Sequence, residues 1–87
     1  MHESQFEKTL SDICRFFDTE CNTAEWFAQA YVSWYRGKSE VNLEGVESLD
    51  RSNLSLFFKM LQLRKMPGWR DSRLYETERY AIDLFDL

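Results

Sequence analysis

Histidine, proline, glycine and cysteine are all scarce in this 87-residue chain. The only histidine is His2, and the two cysteines are Cys14 and Cys21. These residues do not supply the usual four ligands of a structural zinc site or the dense bridges of a disulfide scaffold. We therefore expect no metal or cofactor, with Cys14 reduced in the core and Cys21 partly exposed in a loop. A regulatory disulfide or a metal site is the alternative.

The sequence also lacks the motifs that usually carry catalysis. It has no glycine-rich phosphate loop, no H-E-x-x-H or C-x-x-C, and no serine or cysteine with a plausible histidine partner. Carboxylates are plentiful, but we expect most of them on solvated faces of helices. The sequence therefore predicts a protein that is not an enzyme.

Long apolar runs are missing as well. No stretch approaches the ~18 apolar residues of a membrane-spanning helix, and the first residues, MHESQFEK, lack the apolar segment of a signal peptide. Aromatic residues make up 16% of the chain, which argues against intrinsic disorder. We expect one soluble, cytoplasmic domain spanning residues 1–87 and no contact with a membrane.

Apolar periodicity predicts an all-α fold, a small irregular four-helix bundle with helices near 4–18, 23–36, 50–65 and 71–86. The second helix, TAEWFAQAYVSWYR, is apolar over more than half of its circumference, so we expect the other helices to pack around it. Trp34 lies in the middle of its apolar face, whereas Trp26 is expected to point toward its polar strip. An acidic loop should connect the second and third helices.

The third helix has two apolar stripes on nearly opposite sides. The stripe that we expect in the core consists of Leu54, Phe57, Phe58 and Leu61. The surplus stripe consists of Leu56, Met60 and Leu63. We predict that this second stripe binds a partner or forms a homodimer, together with the off-stripe residues Phe16 and Trp26. In the fourth helix Glu78 interrupts the apolar line, and we expect Lys65 to pair with it.

The charge is distributed unevenly along the chain. Residues 1–50 contain ten acids and four bases, a net charge of −6, whereas residues 51–87 contain five acids and seven bases, a net charge of +2. An acidic half argues against general nucleic-acid binding and favours a protein partner with a basic surface. We predict that Glu40, Glu44 and Glu47 contact this partner.

A basic turn around Pro67-Gly68-Trp69 gives the alternative function. Its cations are Arg64, Lys65, Arg70 and Arg73. Cations beside an exposed Trp69 can bind a phosphate backbone and stack a base. The turn therefore leaves open a nucleic-acid-contacting accessory protein.

Two segments suggest a further alternative. NLSLF at Asn53–Phe57 and AIDLF at Ala81–Phe85 resemble the peptide by which bacterial proteins dock on the DNA polymerase sliding clamp. This resemblance implies a clamp-docking protein. Two amphipathic helices that each start with an acid-arginine pair explain the same internal similarity without a clamp.

The part from Ala24 to Leu63 contains VSWYRG, an acidic loop and V-E-S-L-D before the third helix. It resembles an uncharacterised family of small helical proteins from bacterial plasmids, integrative elements and phages. The resemblance implies a mobile-element setting and assigns no site residue. Small acidic proteins from such settings often occlude a host complex, as anti-CRISPR proteins do. The sequence thus favours a non-catalytic protein-binding module that acts as an inhibitor.

Overall fold

A computed structural model describes residues 4–37 and 40–87 of the chain, and His2 lies outside them. This part contains four α-helices and no β-strand. The helices are α1 (Gln5–Phe17), α2 (Asn22–Arg36), α3 (Arg51–Leu61) and α4 (Asp71–Phe85). Two 3₁₀ helices, Leu43–Ser48 and Leu63–Lys65, lie before and after α3. The predicted small all-α bundle is confirmed, although the third helix ends four residues early and continues as the second 3₁₀ helix.

Side chains and one glycine define the ends of the helices. The Ser4 hydroxyl accepts a hydrogen bond from the Glu7 backbone N–H at 3.1 Å, and the Asp50 carboxylate accepts one from the Asn53 N–H at 2.8 Å. Both contacts satisfy backbone donors that the first turn of a helix leaves free. Gly37 ends α2 with a φ of 72°, a conformation that glycine adopts without steric cost.

Aromatic rings join the helices in the core. The Phe27 ring meets the rings of Phe16, Phe17 and Phe57 at centroid distances of 5.3, 6.2 and 5.8 Å, each edge to face. Helix α2 packs on α4, and α1 contacts the other three helices. The prediction that Phe16 lies outside the core was wrong, because the edge of α1 that carries it faces α2.

The predicted orientation of α3 was also wrong. Met60 and Leu63 are fully buried and pack in the core rather than forming an interface, whereas Leu56 is only partly buried. On the other stripe Phe57 is buried as predicted, but 52% of Phe58 and 42% of Leu61 are accessible. Both stripes have similar apolar character, and the position of α1 decides which one is covered.

A buried ion pair connects α2 to α4. The Glu78 side chain is fully buried, and both of its carboxylate oxygens accept hydrogen bonds from the Arg36 guanidinium. Glu78 was expected to need a cation, but Lys65 is not that cation. Arg36 reaches it from the last turn of α2, a contact that depends on how the two helices cross and not on sequence spacing.

Candidate functional site

Trp26 holds the connection between α2 and α3 in place. Its indole N–H donates a hydrogen bond to the Asn42 carbonyl oxygen at 2.8 Å, and its ring lies 5.5 Å from the Phe57 ring. Gly45 crosses the indole so closely that a Cβ there would be 2.2 Å from the indole nitrogen. Trp26 is therefore half-buried beneath the 3₁₀ helix Leu43–Ser48, because the connection covers the side of α2 on which it lies.

The acidic segment, residues 40–50, lies over this tryptophan. It contains four acids and no lysine or arginine. The acids are Glu40, Glu44, Glu47 and Asp50. All four are exposed, and in the described part of the chain none of them forms a salt bridge. The segment therefore presents a concentration of negative charge that no cation of the described chain neutralises.

The backbone of the acidic segment is ordered by its own side chains. The Asn42 amide oxygen accepts a hydrogen bond from the Glu44 N–H at 2.9 Å and caps the 3₁₀ helix. In a 3₁₀ helix residues three apart eclipse each other, so Glu44 and Glu47 lie in one row about 6 Å apart. Glu44 and Glu47 thus lie on the same side of a short, held segment, and both are exposed.

Leu43 is the most exposed large apolar side chain of the described residues, with 70% of its surface accessible. The other three large apolar residues of the acidic segment are Val41, Val46 and Leu49. Those three residues do contact the core, whereas Leu43 begins the 3₁₀ helix on its outer side. Protein–protein interfaces commonly have an apolar centre and a polar rim, and an apolar side chain among unpaired carboxylates has this arrangement.

The cations of the predicted basic turn do not form one patch. Arg64 lies over the Trp34 and Tyr35 rings, 4.6 and 5.3 Å from their centroids, and donates to the Tyr35 carbonyl oxygen at 3.1 Å. Arg70 and Arg73 pair instead with Glu7 of α1. Only Lys65 and the exposed Trp69 remain of the arrangement expected to bind nucleic acid.

Glu7 of α1 forms ion pairs with the other two cations of the turn. Its carboxylate lies 3.0 Å from Arg73 and 3.3 Å from Arg70. Hydrogen bonding from Arg73 is the main reason that the pKa of Glu7 is lowered, and Arg70 adds to the effect. Arg73 also pairs with Glu76. The charge of these arginines therefore holds α4 against α1.

The two clamp-like segments both lie within helices. Asn53–Phe57 belongs to α3, with the Phe57 ring buried against Trp26 and Phe27. Ala81–Phe85 forms the last turns of α4, with Ala81 buried. Either segment would have to leave its helix to bind as an extended peptide, so the fold gives little support to clamp docking.

The two cysteines are free and differ in environment. Cys14 is partly buried, and burial raises the pKa of its thiol. Cys21 is exposed immediately before α2, where hydrogen bonds with the Thr19 hydroxyl and the Ala24 backbone N–H lower the pKa of its thiol to about 7. The described residues contain no group of three metal-ligating side chains.

Comparisons of this chain with protein families, with curated proteins and with solved structures gave no match. Within residues 4–37 and 40–87 no helix is long and apolar enough to cross a membrane. The contacts described above therefore carry the functional argument alone.

Proposed function

We propose that this protein is a non-catalytic binding module whose acidic segment contacts a basic surface of another protein. One observation carries the proposal: exposed carboxylates without cationic partners in the described chain extend from a segment that Trp26 holds to the core. A held segment loses little conformational entropy when it binds. Its field steers a basic surface toward it, and Leu43 supplies an apolar contact at the centre.

The proposed partner is a host protein, and the proposed effect is inhibition. A groove that binds nucleic acid is lined with lysine and arginine, so it fits a cluster of free carboxylates. A protein that occupies such a groove blocks its normal ligand without any chemistry, as anti-CRISPR proteins do. The resemblance of Ala24–Leu63 to proteins of mobile elements supports this setting.

Nucleic-acid contact through the basic turn has weaker support. Arg64 is engaged by aromatic rings of α2, and Arg70 and Arg73 are paired with Glu7. A phosphate backbone would have to compete with these contacts for each guanidinium. The same experiment tests both functions.

The experiment compares proteins captured from a bacterial lysate, with and without nuclease treatment, by the wild type and three variants. The acid-reversed variant carries Glu44→Lys and Glu47→Lys. The charge-control variant carries Asp83→Lys and Asp86→Lys at the end of α4, which change the net charge equally. The turn-reversed variant carries Arg64→Glu and Lys65→Glu. None of the seven ion pairs among the described residues involves Glu44 or Glu47. Reversing the charge of these two residues should therefore not disturb folding.

The proposal predicts that the acid-reversed variant captures its partner about tenfold less than the wild type, measured by quantitative mass spectrometry. The charge-control and turn-reversed variants should capture it normally. Loss of capture in the turn-reversed variant alone, or in every sample treated with nuclease, would replace the proposal with nucleic-acid contact. Equal capture by all four proteins would remove the acidic segment from the function.

A further inference from the structure

A groove of about 580 Å³ runs between α1 and α3. The apolar residues that line it are Phe16 and Leu56, and the charged ones are Lys8, Asp12, Arg15 and Lys59. Hydroxyl and amide side chains complete the lining. The volume lies in the range of sites that enclose a small ligand or a short segment of chain.

The groove is positive although the chain is negative. Lys8 and Arg15 share the single carboxylate of Asp12, at 3.5 and 3.2 Å. Lys59 has no carboxylate partner among the described residues. Three cations and one anion leave the lining with a charge of +2, against −4 for the whole chain. The groove therefore favours an anionic occupant with an apolar part.

The acidic segment of the same chain has the complementary pattern. Leu43 is an exposed apolar side chain among free carboxylates, while the groove is lined by apolar residues and cations. The two features also adjoin. Cys21 lines the groove, and the next residue, Asn22, lines a cleft with Gly45 and Ser48 of the acidic segment. An acidic half and a basic half thus lie next to each other where α2 and α3 begin.

A patch with adjacent halves of opposite charge is complementary to itself under two-fold rotation. We propose that two copies of this chain form a symmetric dimer in which the acidic segment of each copy lies in the α1–α3 groove of the other. Leu43 then covers Phe16 and Leu56, and the carboxylates of the segment meet Lys8 and Lys59. The two net charges repel at long range, but physiological salt screens this repulsion beyond about 8 Å.

The dimer is independent of the proposed function and has a consequence for it. The same acidic segment would face a second copy in the dimer and the protein partner in the complex. The partner must then displace one copy, so a high concentration of the protein would reduce the fraction available for binding. A dimer that releases monomers is a reserve of inactive protein.

Sedimentation equilibrium tests the dimer with the wild type, the acid-reversed variant, the charge-control variant and a groove-reversed variant. The groove-reversed variant carries Lys8→Glu and Lys59→Glu. The wild type should approach twice the 10.5 kDa mass of one chain as its concentration rises. Each reversed variant should stay at the mass of one chain, because both contacts of the dimer become repulsive. The charge-control variant should dimerise like the wild type.

Mixing the acid-reversed and groove-reversed variants gives the decisive result. Each contact of the mixed pair again joins opposite charges, so the mixture should recover the mass of a dimer. Three results would each overturn the proposal. The wild type could stay at the mass of one chain, either reversed variant could still dimerise, or the mixture of folded variants could remain monomeric. Folding of each variant is checked by circular dichroism.

The two proposals fail separately. The groove-reversed variant keeps its acidic segment, so it should capture the protein partner at least as well as the wild type if the proposed function holds. A wild type that captures the partner through the acidic segment but never dimerises refutes the dimer alone.

Discussion

Gly45 and Trp26 fit together so closely that any side chain at position 45 would overlap the indole, with a Cβ 2.2 Å from its nitrogen. Gly45→Ala must therefore displace either the ring or the 3₁₀ helix. We expect a loss of about 1–3 kcal/mol in the free energy of unfolding, measured by urea denaturation. The alanine should be far less harmful in a Trp26→Ala background, because the overlapping ring is gone. Additive losses in the double variant would contradict the contact.

Trp26 and Trp69 should differ sharply when each is changed to alanine. Trp26→Ala removes a ring packed on Phe57 and a hydrogen bond to Asn42, so a loss of about 3 kcal/mol is expected. Trp69 is 41% exposed, and Trp69→Ala should change the free energy of unfolding by about 0.5 kcal/mol or less. Thermal unfolding measures both, and equal losses would mean that Trp26 does not anchor the acidic segment.

Arg36→Met should leave the buried carboxylate of Glu78 without its cation. We expect a loss of stability in urea denaturation, because the fully buried Glu78 carboxylate would stay charged without a partner. Adding Glu78→Met removes the unpaired charge and should restore most of the stability. A double variant that is less stable than Arg36→Met alone would contradict this interpretation.

The lowered pKa of Glu7 predicts how stability depends on pH. Because the folded state favours the ionised carboxylate beside Arg73, the contribution of Glu7 is present above its unfolded pKa of about 4.3 and is lost as the pH falls through the lower folded value. The wild type should therefore be more stable than Glu7→Gln at pH 7, and the difference should shrink below pH 4. If the stability difference between the wild type and Glu7→Gln grew on acidification, the pKa of Glu7 would be raised and not lowered in the folded state.

Cys21 should react much faster with iodoacetamide than Cys14. The thiolate is the nucleophile, and the Cys21 thiol has a pKa of about 7 and is exposed, whereas burial raises the pKa of Cys14. The alkylation rate at Cys21, followed by mass spectrometry, should have its midpoint near pH 7. Removing the Thr19 hydroxyl with Thr19→Val should move the midpoint upward. An unchanged midpoint would exclude that hydrogen bond as the cause.

Local signals were sufficient to predict where α1 and α3 begin and where α2 ends. Ser4 and Asp50 are capping residues at the predicted starts of α1 and α3, and Gly37 follows the last residue of α2. These signals act within one turn of a helix, so the sequence contains all the information that they need. The acidic segment was recognised for the same reason, since charge along the chain is read directly.

The orientation of each helix could not be predicted in this way. Two stripes on α3 are apolar, and only the positions of α1 and α2 decide that Met60 is covered and Phe58 is not. The cation for Glu78 is 42 residues away, on a helix that crosses α4. Trp26 lies beneath Gly45 because the connection folds back over α2. Each of these contacts depends on tertiary packing, which periodicity does not encode.

Site-specific photo-crosslinking from position 43 tests the central claim most directly. A photoreactive phenylalanine analogue replaces Leu43, which is exposed on the acidic segment, and a control chain carries it at Asp83 on α4. After irradiation in bacterial cells, the account predicts that position 43 crosslinks to one protein other than a second copy of this chain. That crosslink should be absent from position 83 and lost when Glu44→Lys and Glu47→Lys are added. Crosslinks to nucleic acid, or the same crosslinked protein from both positions, would contradict it.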